Sequence, residues 1–200
     1  PQNANITIAG NINEDDAIEV FKVLETKWKE TDIAVPLPTI SHSLSSSKVY
    51  FVDFPGAKQS EIRIGSTGLA FTDPDYFKAT VMNYKLGGSF NGIVNLILRE
   101  EKGYTYGART TFTGSDFPGY FVASAGVQSD ATLESAQIFR DEMIKYRNGI
   151  STEDLQFTKD ALIKSNALRY ETIGALRGML SQIALYNLPF DYVKDQERQI

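Results

Sequence analysis

The chain has no cysteine and one histidine, His42, in 200 residues. The missing cysteine removes disulfides, thiol nucleophiles and every thiolate-held zinc or iron–sulfur centre. The lone histidine removes most of what is left. A zinc site made from one imidazole and carboxylates departs from the ligands zinc favours, and any Ser-His-Asp set would have to use His42. His42 lies in a serine- and proline-rich stretch with no fixed neighbour and reads as an ordinary solvated side chain. Long apolar runs are also missing, so no segment reads as a membrane-spanning helix. No Lys/Arg-rich run occurs, and 20 basic against 25 acidic residues leave a net charge of −5. That balance argues against nucleic acid as the main partner, because phosphate neutralisation needs a basic face. A soluble protein without cysteine suits cytoplasm and periplasm equally. Because the first residue is Pro1, the chain reads as a piece of something longer, with its targeting signal outside the piece.

What is present is globular: 42% hydrophobic and 22% charged residues, enough for one domain or one domain with part of a second. Residues 5–10 (NITIAG) read as a short strand. Residues 13–28 read as a helix with Asn13 as N-cap, acidic residues in its first turn, and Ile18, Phe21, Leu24 and Trp28 on one face. A Ser/Pro-rich linker follows over 31–47, so 1–30 forms a strand–helix unit leading into a main domain over 48–200. In that domain 48–54 reads as a strand closed by Pro55-Gly56, and 58–68 alternates as a half-exposed strand. One helix is expected from Asp73-Pro74 to Leu86 and a second from about Phe90 to Glu101. Residues 104–112 and 119–127 read as a hairpin. Three helices close the chain: 131–147 capped by Asp130, one opened by Ser151 and Asp154 as a capping box, and one over about 172–186. Hairpins and clustered helices without regular crossovers indicate an α+β fold, an antiparallel β-sheet with helices on one face, and exclude a doubly wound nucleotide fold.

Candidate chemistry is sparse. Leu86-Gly87-Gly88-Ser89-Phe90 lacks the lysine of a phosphate-binding loop and joins two helices, so it reads as a tight turn. Glu100 and Glu101 are adjacent on a helix and point about 100° apart, which makes a solvated charged turn a better account than an acid–base pair. Residues 98–110, LREEKGYTYGART, hold more. Arg99 falls in the last turn of its helix, Gly103 suits a left-handed cap, and alternation in the strand beyond puts Tyr104, Tyr106 and Ala108 on one face. Arg99 and Tyr106 can then approach across the corner as two donors for a carbonyl oxygen or developing oxyanion. An exposed Arg–Glu ion pair is the alternative at Arg99.

LGGSF, LREEKGYTYGA and the hairpin after it, with PQNANITIAGNINEDDA near the start and VDFPGAKQSEIRIG in the middle, resemble the M16 zinc peptidases, the group of pitrilysin, insulin-degrading enzyme and mitochondrial processing peptidase. The resemblance covers essentially the whole chain and points to the non-catalytic C-terminal domain. It implies a LuxS/MPP-like metallohydrolase fold, in which two related halves close as a clamshell on a peptide chamber. One half carries H-x-x-E-H and zinc. The other has lost the motif and supplies an Arg and a Tyr that bind substrate, here Arg99 and Tyr106. This chain has no H-x-x-E-H, so no catalytic or metal-ligating residue is assigned to it, and alone it should cut no peptide bond. Where many relatives carry a Ser-Arg-Leu-like run, it reads Gly92-Ile93-Val94. The implied partners are a peptide substrate and a zinc-bearing half, fused or separate, and the surface meant for that half could also support a homo-oligomer. The implied function is an inactive substrate-binding half. A non-catalytic scaffold of the same fold is the rival.

Overall fold

The computed structural model describes residues 4–30, 34 and 46–200. The chain falls into two compact units, residues 1–39 with 163–200 and residues 40–162.

The first unit contains α1 (Glu14–Lys27). Asn13 caps it as expected: its side-chain oxygen accepts the Asp16 N–H at 2.8 Å, and Glu14, Asp15 and Asp16 sit at the positive helix end. Residues 5–10 carry the composition of a strand but form none.

The second unit holds the sheet. β1 (Gln59–Thr67), β2 (Thr105–Thr113) and β3 (Tyr120–Gln128) pair antiparallel in the order β1-β3-β2, so the predicted hairpin of β2 and β3 forms. On one face Ile62 and Ala108 flank Ala125, and Ile64 and Thr110 flank Ala123. Small alanines along the centre of β3 let helices approach closely. Leu86, Val94, Leu98 and Phe139 fill that face, with Val94, Leu98 and Phe139 at 0% exposure. The opposite face is open: Glu61, Arg63, Arg109 and Thr111 are exposed there. The fold is α+β, with helices on one side of an antiparallel sheet.

The packing helices depart from the expected pair. α2 (Tyr76–Asn83) passes into a π-helical turn, Tyr84–Gly88. α3 (Ile93–Asn95) passes into a second one, Leu96–Glu101. Single π-turns inside helices occur frequently at functional sites. α4 (Thr132–Tyr146) follows a 3₁₀ turn that contains Asp130, so Asp130 is not its cap; Ala131 occupies that position without a side-chain bond. α5 (Thr152–Arg169) begins with the expected box, Asp154 N–H to Ser151 Oγ at 3.0 Å, and continues past residue 162 into the first unit. α6 (Ile173–Tyr186) is capped by Thr172, and α7 (Tyr192–Gln199) is a helix the sequence pattern did not reveal.

Residues 48–54 were expected as a strand. They form none, and Val49, Tyr50, Phe51, Val52 and Phe54 are all strongly exposed. The composition favours a strand, but pairing needs a neighbour. Along the described residues β1 is bonded to β3 alone.

Candidate substrate-binding site

The site grows from the corner between α3 and β2. The π-helical turn ends with the Lys102 N–H donating to Ile97 O at 3.0 Å, and Gly103 then turns the chain with φ +67°, which favours glycine. The Tyr104 N–H returns to Leu98 O at 2.9 Å. Gly103 therefore does what the sequence suggested.

β2 does not alternate as the sequence suggested. Thr105 faces Val127 and Ala108 faces Ala125, so three steps along β2 oppose two along β3. This is a β-bulge with one extra residue, a device that re-aims a side chain. The Thr105 hydroxyl pins it, donating to Gly126 O at 2.7 Å and accepting the Gly107 N–H at 3.1 Å. Ala108 points into the core at 5% exposure, whereas Tyr106 stands out at 90%. The shared face expected for Tyr106 and Ala108 is thereby corrected.

The corner opens onto a cavity of about 430 Å³, whose lining includes Ser89, Phe90, Arg99, Tyr106, Gly107 and Arg109. Arg99 and Tyr106 thus meet in one cavity. The Arg99 guanidinium lies 4.6 Å from the Phe90 ring centre and 3.4 Å from Glu100, so a cation–π contact and an ion pair fix its position. The arrangement presents planar N–H donors and a phenol to one open space, a set suited to a carbonyl or carboxylate oxygen.

Two buried asparagines brace β2, Asn95 in the cavity wall and Asn83 beside it, and sequence reasoning missed both. Asn95 accepts the Ala108 N–H at 2.9 Å and donates to Phe90 O at 2.7 Å. Asn83 donates to Thr110 O at 2.9 Å and accepts the Thr110 hydroxyl. Together they occupy polar backbone groups along the outer edge of β2, which would otherwise invite another strand. The available signal was asparagine inside an otherwise apolar helical segment, where its propensity is poor. Gly87 belongs to the same wall: a Cβ there would lie 2.8 Å from the Thr110 backbone nitrogen, so the turn reaches β2 only as glycine.

Beyond the cavity, Glu134 accepts from Lys102 and from the Tyr104 hydroxyl, both at 2.7 Å. These bonds, Lys102 first, hold its carboxyl below the usual carboxylate range. Among the described residues no group of three or more His, Cys, Asp or Glu is placed to hold a metal ion. His42 lies outside the described residues. With one histidine and no cysteine in the sequence, the chain cannot assemble the two or three imidazoles, or the two thiolates and an imidazole, of a catalytic zinc site. No described helix is long and apolar enough to cross a membrane.

A three-stranded antiparallel sheet covered by helices on one side is an α+β domain of the kind the sequence resemblance implies. The family described as the peptidase M16 inactive domain matches residues 1–162, and the chain belongs to that family. An uncharacterized zinc protease of Streptomyces coelicolor is 25% identical over 190 residues, covering 92% of this chain and 41% of that protein. The chain thus spans less than half the length of that relative. The crystal structure of a peptidase M16 inactive domain from Pseudomonas fluorescens matches at 27% identity and TM-score 0.65, covering 72% of this chain and 34% of the other. A protease from Helicobacter pylori matches at TM-score 0.76 over 96% of this chain and 47% of the other; at 16% identity it shows the fold alone.

Proposed function

We propose that this chain is the substrate-binding half of an M16-type metallopeptidase. It closes a peptide chamber and orients peptide for a zinc-bearing half carried by the same polypeptide or a separate chain. The observation that carries the reading is the cavity shared by Arg99 and Tyr106, where the bulge turns the phenol away from the core and Phe90 holds the guanidinium. The names of the relatives and the lengths by which they exceed this chain support a missing second half. In this reading the Tyr106 hydroxyl and the Arg99 N–H groups donate to a carbonyl oxygen of the bound peptide. The guanidinium is held in advance by Phe90 and Glu100, which is the condition under which such contacts stabilise developing charge. Zinc, when bound by the other half, supplies an activated water.

The test is to combine the chain with an H-x-x-E-H half and compare cleavage and melting temperature for Tyr106→Phe and Arg99→Ala. Loss of one such donor lowers the rate by about 10²–10³, with melting little changed for Tyr106→Phe. Normal cleavage by both variants would remove the assignment and leave the scaffold reading.

A further inference from the structure

We propose that Arg109 makes this cavity selective for a carboxylate on the bound peptide, an inference that rests on the peptide-binding reading above. Arg109 lines the same cavity as Arg99 and Tyr106, and no Asp or Glu does. The wall therefore carries two guanidinium groups in a chain whose net charge is −5. The two arginines are not equivalent. Arg99 is engaged by Phe90 and Glu100. Across the open sheet face Arg63, Ser124 and Arg109 are consecutive cross-strand neighbours, and Arg63 is answered by Glu61 at 3.2 Å. Arg109 has no carboxylate partner among the described residues, and its neighbour Ser124 is too small and neutral to screen it.

Donors line the space from several sides: Arg99, Arg109 and Tyr106. A carboxylate accepts from all of these, whereas an amide offers one acceptor oxygen and adds N–H groups with nothing to receive them. The carboxylate can belong to an Asp or Glu side chain or to the peptide C-terminus.

The experiment measures binding of fluorescent peptides to the full 200-residue chain by anisotropy. The peptides differ by a single Glu, Gln or Lys at each position in turn, with free and amidated C-termini. The Glu peptide should bind tighter than its Gln counterpart on the order of tenfold, as one charge-assisted hydrogen bond allows. The preference should shrink at high salt. Tighter binding of free than of amidated peptides, with Glu and Gln alike, assigns the carboxylate to the C-terminus; a Glu-over-Gln preference that persists on amidation assigns it to the side chain. Arg109→Gln should abolish the preference, Arg109→Lys should keep most of it, and Arg109→Glu should reverse it towards the Lys peptide. Tyr106→Phe should weaken all peptides while leaving the ratio unchanged. Equal binding of Glu and Gln peptides together with equal binding of free and amidated C-termini, or a preference that survives Arg109→Gln, overturns the role of Arg109 and leaves the Arg99–Tyr106 reading intact. Absence of binding by every peptide, or binding indifferent to both Arg99→Ala and Tyr106→Phe, overturns both.

Discussion

Asn95 Oδ1 receives the backbone N–H of Ala108 at 2.9 Å, across thirteen residues of sequence. The bond joins α3 to β2 immediately beside the bulge. The same side chain donates to Phe90 O, so one buried asparagine fixes the strand, the helix and the backbone carrying the ring beneath Arg99.

Asn95→Ala leaves the Ala108 N–H and Phe90 O unpaired at a position that is 3% exposed. Leaving a buried polar group unsatisfied costs about 1–3 kcal/mol. At about 2–4 °C per kcal/mol for a protein of this size, melting should fall by several degrees. Asn95→Asp keeps the acceptor for Ala108 but sets a buried carboxylate oxygen against Phe90 O, so its loss should be large at neutral pH and shrink as the carboxyl is protonated at low pH. Calorimetry of the two variants separates the contributions, and an unchanged melting temperature in Asn95→Ala would refute the pinning.

Thr105→Val should affect the site more than the fold. It removes the hydroxyl that donates to Gly126 O and accepts from Gly107 N. A valine suits a strand at least as well as threonine, so the stability change should stay near the net worth of a hydrogen bond, about 0.5–1.5 kcal/mol. Tyr106, released from the pinned bulge, should bind and orient peptide poorly. The expected pattern is a clear loss of peptide affinity or cleavage with nearly native melting, and Thr105→Ser should restore most of it. Equal losses in the Ser and Val variants would count against the hydroxyl.

The tyrosine at the end of α4 gives an alkaline signature. Tyr146 donates its hydroxyl to Met82 O at 2.7 Å. Burial first, and the nearby Asp154 second, push its phenol from 10.0 to about 12. A raised pKa in the folded state means that its stabilising effect is complete below pH 10.0 and declines as pH rises towards about 12. Tyr146→Phe loses the bond to Met82 and should be less stable at neutral pH by about 0.5–1.5 kcal/mol. Its disadvantage should narrow as pH climbs through that window. Urea midpoints for both proteins across the range test this, and a constant gap would show that the phenol does not ionise differently on unfolding.

The readable parts of the fold are those set by neighbours in sequence. Asn13, the Ser151–Asp154 box, Gly103 and the β2–β3 hairpin all follow from local chemistry, and each is in place. The unreadable parts depend on distant partners. The bulge at Thr105–Ala108 appears only when β2 is counted against β3, and strict alternation therefore assigned Tyr106 to the wrong face. Asn83 and Asn95 look like ordinary polar helical positions until β2 is brought alongside. Arg99 and Tyr106 are singled out by the motif resemblance and line one cavity; Arg109 gained interest only once that cavity collected it with them.

Residues 49–54 lead to the last prediction. Val49 is 94% exposed and Phe51 83%, in a nearly continuous apolar run, Val49-Tyr50-Phe51-Val52-Asp53-Phe54, free of proline and followed by Pro55-Gly56. A strand-like apolar segment without a pairing partner is a template for intermolecular association. The isolated chain should therefore self-associate as its concentration rises, and an H-x-x-E-H half should compete with that association if it covers the same segment. Phe51→Lys places a charge in the middle of the run, where pairing with a second copy would have to desolvate it. Sedimentation velocity should show a larger monomer fraction for Phe51→Lys than for wild type, with unchanged far-ultraviolet circular dichroism because Phe51 supports no packing in the sheet core. A wild-type chain that stays monomeric at high concentration, or association indifferent to Phe51→Lys, would show that this segment is not the adhesive surface.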